Sequence, residues 1–359
     1  MFITYGLDTN DTPDRIADYV SNGAEEFFAG FVPREWLEKY GWEVCPNRRS
    51  LGGGYNYTQV SELQATAAEI HRRGCRLNLA INAQDNGLER LDDLRRTVET
   101  MESFNPDGYI IADPALMCSL KRWGIDKPVH LSTGAGCFSS AAVRFYCEHF
   151  NVRRAVIPRK MTLNEMRRMI ESLVDLHVEF EVMIIGYRCF FNDEDCHSVH
   201  SGCHRNLCGD VLASQFIATN RFPDNWKQAT EDILSSKMDA FRCHSLVNDF
   251  CLKWQRNEPP DPVFKTPLKS SSGLSSCLAS SVFQNCGLCA IRELRDMGVH
   301  ALKVPLRGSR DFKLPALQVV NAVMRNPDPT PEFCRALIGS PDFCDQRHNC
   351  YYDVPEAHR

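Results

Sequence analysis

The sequence predicts an α/β fold, a (β/α)8 TIM-barrel-like fold with a long cysteine-rich insertion between the seventh and eighth strands. Eight short apolar runs recur along the 359 residues, and amphipathic segments separate them. Nearly continuous apolar strands that alternate with helices are typical of a parallel sheet covered on both faces, and eight repeats indicate closure into a barrel. The interval before the last run is far longer than the others, which predicts the insertion.

The apolar runs define the predicted strands in chain order. They cover residues 3–7, 25–31, 76–82, 108–113, 129–132, 154–159, 179–186 and 301–304. Parallel neighbours need a crossover connection, usually a helix, so each interval between two runs is expected to hold one.

The intervals carry signals for helix starts and stops. Thr12 followed by Pro13 is typical of a helix start, and Thr162 with Glu165 has the spacing of a capping box. Gly74 ends a third predicted helix, because glycine is favoured just after the last helical residue. The apolar positions of that helix recur at helical spacing and predict its buried face: Val60, Leu63, Ala67 and Ile70.

The long interval runs from Tyr187 to His300, which is 114 residues, and it holds nine of the 17 cysteines. Loops at the carboxyl ends of barrel strands are where barrel enzymes place their active sites. We therefore predict that residues 1–186 and 301–326 form the barrel, residues 187–300 a cysteine-rich metal-binding insertion, and residues 327–359 a C-terminal tail.

Composition and charge narrow the classes of partner. The net charge of -5 and pI of about 6.1 give no global attraction to nucleic acid, although they do not exclude it. The N-terminal residues lack the pattern of a secretory leader, and no apolar run reaches the ~18 residues of a membrane span. We expect a cytoplasmic protein, in which thiols stay reduced and cysteine clusters indicate metal binding or catalysis.

The stretch GYRCFFNDEDCHSVHSGCHRNLC, residues 186–208, concentrates sulfur and imidazole after the seventh predicted strand. It contains Cys189, Cys196, Cys203 and Cys208, and a Cys-x-x-Cys pair, Cys286 and Cys289, follows before the last strand. Thiolates bind zinc or iron-sulfur clusters, and mixed sets with histidine suit zinc. Spacing alone leaves both open, including a zinc site that only stabilises the insertion.

The run EFEVMIIGYRCFFNDEDC resembles the signature of peptidase family U32. Glu181, Gly186, Cys189 and Cys196 match that signature. The segments NGAEEFFAGF, RRSLGGGYNY and GLCAIRELRDMGVHALKV resemble other motifs of the family in the same order, so the resemblance spans roughly residues 3 to 310. The chain departs from the family pattern at Ile185, Lys160 and Pro305-Leu306.

The resemblance implies a [4Fe-4S] cluster, because some family members bind one and support oxygen-independent hydroxylation in ubiquinone biosynthesis or RNA modification. The implied ligands are Cys189, Cys196, either Cys203 or Cys208, and Cys289. One branch uses an N-terminal cysteine, so Cys45 is an alternative fourth ligand, and zinc is the alternative metal.

Other polar residues lie at or near predicted strand ends. Arg159 and Arg307, with Lys303 and Arg310, are predicted to bind an anionic small molecule around the cluster. With His130, Arg159 and Arg307 are the candidate catalytic residues. A serine hydrolase using His130 and Ser132 is disfavoured because no Gly-x-Ser-x-Gly motif presents the serine.

These observations predict an iron-sulfur-dependent hydroxylase that modifies a small biosynthetic intermediate or a nucleobase. One alternative is a metal-dependent or cysteine peptidase, with Cys137 a candidate nucleophile. Another is a non-catalytic, cluster-bearing subunit that pairs with a second U32-type chain.

Overall fold

The computed structural model describes residues 1–41, 44–49, 54–186, 193–194, 196, 285–308, 312–338 and 350–352. Its strands are β1 (Phe2–Gly6), β2 (Ala24–Gly30), β3 (Arg76–Ile81), β4 (Gly108–Ile111), β5 (Val129–Leu131), β6 (Val152–Val156), β7 (Glu179–Met183) and β8 (Ala301–Val304). Each strand pairs in parallel with the next, and β8 pairs with β1. The predicted (β/α)8 barrel is confirmed.

Helices alternate with the strands and cover the outside of the barrel. They are α1 (Pro13–Ser21), α2 (Arg34–Tyr40), α3 (Val60–Arg72), α4 (Leu91–Glu102), α5 (Pro114–Arg122), α6 (Ser140–His149), α7 (Leu163–Glu171), α8 (Ile291–Asp296), α9 (Lys313–Arg325) and α10 (Pro331–Ile338). In the described part of the chain, we find no helix with the length and apolar character needed to cross a membrane.

Two helix predictions illustrate how far local signals hold. The capping box of α7 is confirmed: Glu165 N donates to Thr162 Oγ1 at 3.3 Å, and Thr162 N donates to Glu165 Oε2 at 2.8 Å. In α3, Leu63, Ala67 and Ile70 are buried as predicted, but Val60 is 43% exposed. Val60 is the first residue of α3.

The apolar core lies mainly between the strands and the helices. Along β2, Phe27 and Ala29 belong to this outer core, whereas Phe28 packs with Ala80 and Ile110 in a separate small cluster. Alternate strand residues point to opposite faces, so the second cluster fills the barrel interior.

The last helices and the C-terminal residues attach to the barrel. Leu294 of α8 is fully buried, so the end of the range predicted as insertion packs on the core. Lys313 of α9 donates to Asp8 Oδ2 at 2.9 Å and also binds Asp11, and all three side chains are buried. This ion cluster fastens α9 to the loop after β1. Most of residues 187–300, and part of the predicted tail, lie outside the described residues.

Candidate functional site

The site lies at the carboxyl ends of the strands, where segments remote in sequence converge on Asp193. Arg159, just beyond β6, donates from Nε to Asp193 Oδ2 at 2.9 Å and from Nη2 to Oδ1 at 2.8 Å. Arg48, in the loop after α2, donates from Nη1 to Oδ1 at 3.3 Å. The Asp193 side chain is only 3% exposed. Two arginines from separate elements therefore hold one carboxylate of the cysteine-rich stretch over the barrel mouth.

The backbone around Asp193 is held as well. Gln84, after β3, donates from Nε2 to the Asp193 carbonyl at 2.9 Å and also to the Glu194 carbonyl. Cys196 N donates to the Asp193 carbonyl at 3.4 Å, and Cys196 is 5% exposed. These contacts place one predicted cluster ligand, Cys196, in a buried position at the mouth.

The guanidinium group of Arg48 is almost fully buried at the mouth. Its side chain is 9% exposed, and its Nε and Nη2 atoms are buried without a hydrogen-bond partner among the described residues. Those two atoms form one edge of the guanidinium, which binds a carboxylate or phosphate with two parallel hydrogen bonds. A buried donor without a partner is costly, so this edge indicates the binding of an anionic ligand.

Arg307 contributes a second buried positive charge. It follows β8, donates from Nη1 to Asn56 Oδ1 at 3.4 Å, and lies 5.7 Å from the centre of the Phe28 ring. Burial, with the neighbouring Arg49, lowers the pKa of Arg307 to about 9, which leaves it protonated at neutral pH. Arg307 therefore adds positive potential at the mouth, and within the described residues its guanidinium has no carboxylate hydrogen bond.

Asn56 is positioned by a close approach of backbone and side chains at Gly30, the last residue of β2. A Cβ atom on Gly30 would lie 2.0 Å from Asn56 Oδ1 and 2.2 Å from Asn47 Nδ2. Asn47 in turn donates to the Ala80 carbonyl at 3.2 Å. Glycine is thus required at this position for both amides to pack over the strand end.

The two alternatives for the fourth cluster ligand lie in different surroundings. Cys45 is half-buried and close enough to Arg307 to act on the pKa of that guanidinium. Cys289 lies in the turn before α8, and its contact with Cys334 of α10, together with burial, raises the pKa of its thiol. The other predicted ligands, Cys189, Cys203 and Cys208, lie outside the described residues.

His130 lies inside the barrel, below the mouth, in a network of buried charges. Arg154 donates to Glu181 Oε2 at 3.0 Å and to Glu26 Oε2 at 3.0 Å, and Lys303 donates to Glu181 Oε1 at 2.5 Å. Although burial alone would raise it, Lys303 and Arg154 hold the pKa of Glu181 at about 2. Lys303, predicted to take part in the anion clamp, thus serves an internal carboxylate instead.

Glu26, His130 and Glu181 place one potential ligand atom each within 4.8 Å of one another. The carboxylates are already paired with Arg154 and Lys303, so a cation could bind only by displacing them. Burial, and then Arg154, lowers the pKa of His130 well below its usual value, so this histidine is neutral. The arrangement is that of a charge-balanced interior.

The residues of the peptidase alternative are poorly arranged for catalysis. Ser132 Oγ accepts from Gly134 N at 3.3 Å and from Asn82 Nδ2 at 3.4 Å. Within the described ranges, the Nδ1 atom of His130 has no partner, so Ser132 and His130 do not form a nucleophile and base through that atom. Cys137 is 1% exposed, and burial raises the pKa of its thiol to about 12. A thiol in that state is a weak nucleophile at neutral pH.

The mouth therefore combines predicted and unpredicted residues. Arg159 and Arg307 lie there as expected, whereas the roles of Arg48 and Asp193 were not predicted. A signal was present, because Arg48 belongs to the motif RRSLGGGYNY and Asp193 stands between two cysteines of the signature.

Comparison with known proteins agrees with the resemblance. The tRNA hydroxylation protein P of Escherichia coli (strain K12) is 24% identical over 149 residues, which is 42% of this chain and 32% of that protein. The tRNA hydroxylation protein P1 of Bacillus subtilis (strain 168) is 30% identical over 108 residues, 30% of this chain and 25% of that protein. The chain thus matches about a third or less of the length of these relatives.

Among solved structures, the U32 peptidase Mk0906 superposes with a TM-score of 0.39 at 17% identity, covering 51% of this chain and 69% of that one. The family model for peptidase family U32 matches residues 13–237, which is more than half of the chain. The chain therefore belongs to peptidase family U32.

Proposed function

We propose that the protein is a U32-type enzyme that hydroxylates or similarly modifies an anionic substrate at the barrel mouth, with a [4Fe-4S] cluster as cofactor. The observation that carries the proposal is the buried Nε–Nη2 edge of the Arg48 guanidinium, which lies beside Asp193 and has no hydrogen-bond partner among the described residues. The names of the relatives, tRNA hydroxylation proteins, support the reaction type.

One candidate ligand, Cys196, and the positive charges near it support a cluster at this place. Cys196 is buried, and the segment that carries it is held by Arg48 and Arg159 through Asp193. A cluster ligated by thiolates carries net negative charge, which these arginines and Arg307 would offset. Cys189, Cys196 and either Cys203 or Cys208 would supply three ligands. When bound, the cluster would supply electron transfer.

The protein's own residues have separate roles in this proposal. Arg48 binds a carboxylate or phosphate of the substrate through Nε and Nη2, and Arg307 adds a second positive charge. Asp193 orients Arg48 and Arg159 so that both guanidinium groups face the mouth. The surrounding burial excludes water, which strengthens each of these interactions.

The substrate class follows from the same charges. The Nε–Nη2 edge of the Arg48 guanidinium can bind one carboxylate or phosphate. Such a group is present in a small biosynthetic intermediate and in a nucleotide within RNA. The relatives' names favour the second, and a partner chain of the same family is compatible with either.

The test combines metal analysis with RNA analysis. The protein is purified without oxygen, and iron and sulfide are quantified for the parent, Cys189→Ala and Cys196→Ala; roughly four irons per chain, lost in the variants, are expected. Bulk tRNA from cells that lack the gene is then analysed by mass spectrometry for missing hydroxylated nucleosides. Iron-free protein together with unchanged tRNA would refute the proposal.

Arg48→Gln tests the anion site, and Arg95→Gln is the matched control, since Arg95 lies on the outside of α4 and pairs with Glu99. We expect Arg48→Gln to retain iron but fail to restore the modification, whereas Arg95→Gln restores it. Equal activity of the two variants would exclude Arg48 from the site.

A further inference from the structure

A second pair of arginines, Arg49 and Arg307, lies at the mouth, separate from the pair that binds Asp193. Asn56 joins the two: its Nδ2 donates to the Arg49 carbonyl at 2.7 Å, and its Oδ1 accepts from Arg307 Nη1 at 3.4 Å. Burial, and then the positive charge of Arg49, lowers the pKa of Arg307, so the two charges also lie close enough to repel. The fold therefore holds two like charges side by side.

No described carboxylate compensates this repulsion. Arg307 is 6% exposed, and its Nε and Nη2 atoms have no hydrogen-bond partner among the described residues. Asp8 is the carboxylate that acts on the pKa of Arg307, but it is already bound by Lys313 at 2.9 Å and by Gly308 N at 2.6 Å. A buried cation without a paired anion is costly, so this pair indicates the binding of an anion from outside the chain.

The aromatic ring of Tyr55 fixes the direction of Arg49. The guanidinium of Arg49 lies 4.8 Å from the centre of that ring, and in the described part of the chain it forms no salt bridge. The ring packs directly on Gly308, where a Cβ atom would lie 2.3 Å from Tyr55 Cε1. A stacked guanidinium uses its face for the ring and keeps the N–H groups of its edge for an anion.

The two arginine sites lie on opposite sides of the mouth. Arg307 follows β8, and a Cβ atom on Gly6, at the end of β1, would lie 3.2 Å from Arg307 Cγ. By contrast, Arg48 Nη1 lies 3.4 Å from the position of a Cβ atom on Gly134, just after β5. In a closed barrel of eight strands, β5 is opposite β1. One ligand that reaches both sites therefore crosses the mouth.

We propose that Arg49 and Arg307 form a second anion subsite, so that the ligand of the mouth carries two anionic groups, one bound by Arg48 and the other by this pair. Guanidinium groups bind carboxylate or phosphate through charge-assisted hydrogen bonds, and an anion between two cations offsets their repulsion. The inference rests on the proposed function, because it takes Arg48 to bind the first group.

Two sources supply a ligand of this chemistry. A nucleotide within RNA has a phosphate on each side of its sugar, and a small biosynthetic intermediate can carry two carboxylates. Both place two anionic groups at the ends of one compact unit, so the experiment uses probes of each kind.

The test compares probes that differ by one anionic group. Isothermal titration calorimetry on the anaerobically purified full chain measures the affinity for adenosine 5′-monophosphate and adenosine 3′,5′-bisphosphate, and for valerate and glutarate. We expect at least one probe with two groups to bind about tenfold more tightly than its partner with one, as expected for added hydrogen bonds between charged groups. Preference for the bisphosphate indicates RNA, and preference for glutarate indicates a small intermediate.

The variants assign this preference to residues. Arg49→Gln and Arg307→Gln should reduce it to about threefold or less, because a neutral amide replaces one of the two cations. Arg48→Gln should weaken both members of a probe pair by a similar factor, and Arg95→Gln, on the outside of α4, is the matched control. If Arg307→Gln fails to fold, Arg49→Gln decides, because the Arg49 side chain only stacks on Tyr55 among the described residues.

Equal affinity within both probe pairs of the parent would overturn the second anion subsite. A preference that survives both Arg49→Gln and Arg307→Gln would overturn it too, since the charges of this pair would then serve something other than the ligand. Iron-free parent protein with unchanged tRNA would instead refute the proposed function, and a preference that depends on Arg49 would still support the subsite.

Discussion

Replacing Asp193 by asparagine should release the segment that carries Cys196 while leaving the barrel folded. The carboxylate accepts two hydrogen bonds from Arg159, at 2.9 and 2.8 Å, and one from Arg48 at 3.3 Å. Asparagine has nearly the same shape, but it is neutral and offers a single acceptor oxygen.

The cost follows from these contacts. Hydrogen bonds to charged groups contribute roughly 1.5–3 kcal/mol each, and the amide keeps one weaker bond worth about 1 kcal/mol. The arginine side chains are 13% and 9% exposed, so solvent screens the ion pairs only in part. We therefore expect the free energy that keeps this segment closed on the barrel to fall by about 3 kcal/mol. That change corresponds to about a 150-fold increase in the open population of the segment.

Alkylation of Cys196 measures that population. The reduced, metal-free chain is treated with iodoacetamide, and labelling of each cysteine peptide is followed by mass spectrometry, since a buried thiol reacts through its open state. In Asp193→Asn, Cys196 should react about 150-fold faster, whereas Cys75, which is buried just before β3 at the opposite end of the barrel, keeps its rate. An increase below about threefold, or a parallel increase at Cys75, would refute the reasoning.

Three further predictions concern the scaffold. Lys313→Met leaves two buried carboxylates without their cation and should lower the free energy of unfolding by about 3–5 kcal/mol in denaturant titration, and a loss below 1 kcal/mol would contradict the ion cluster. Because the pKa of His130 is lowered in the folded state, stability should fall as pH drops below about 6.5; His130→Gln should flatten that dependence, and an unchanged slope would exclude His130 as its source. Gly30→Ala forces Asn56 and Asn47 apart and should lower the free energy of unfolding by about 1–3 kcal/mol in thermal unfolding; since Gly30 does not have a positive φ, a loss below about 0.5 kcal/mol would contradict the close packing.

The barrel itself could be predicted from the sequence because each strand and helix signal is local. Apolar runs of strand length, the capping box of Thr162 and Glu165, and the glycines at helix ends act within one or two turns of chain. Val60 shows the limit, since whether a helix end touches the barrel depends on its neighbours.

The site was predicted only in part. Arg159 and Arg307 could be placed at the mouth because both follow predicted strands whose carboxyl ends share one face. Lys303 lies one residue before the end of β8. Because successive side chains of a strand point to opposite faces, Lys303 points into the barrel, where it binds Glu181.

By itself the sequence determined the number and order of the strands, the family resemblance and the cysteine-rich composition of the insertion. The tertiary structure decided which charges meet: Asp193 with Arg48 and Arg159, and the turn of Cys286 with the backbone of Cys350. Periodicity and capping depend on residues a few positions apart, whereas these pairings join positions far apart in the chain. They exist only because closure of the barrel brings all eight strand ends to one rim.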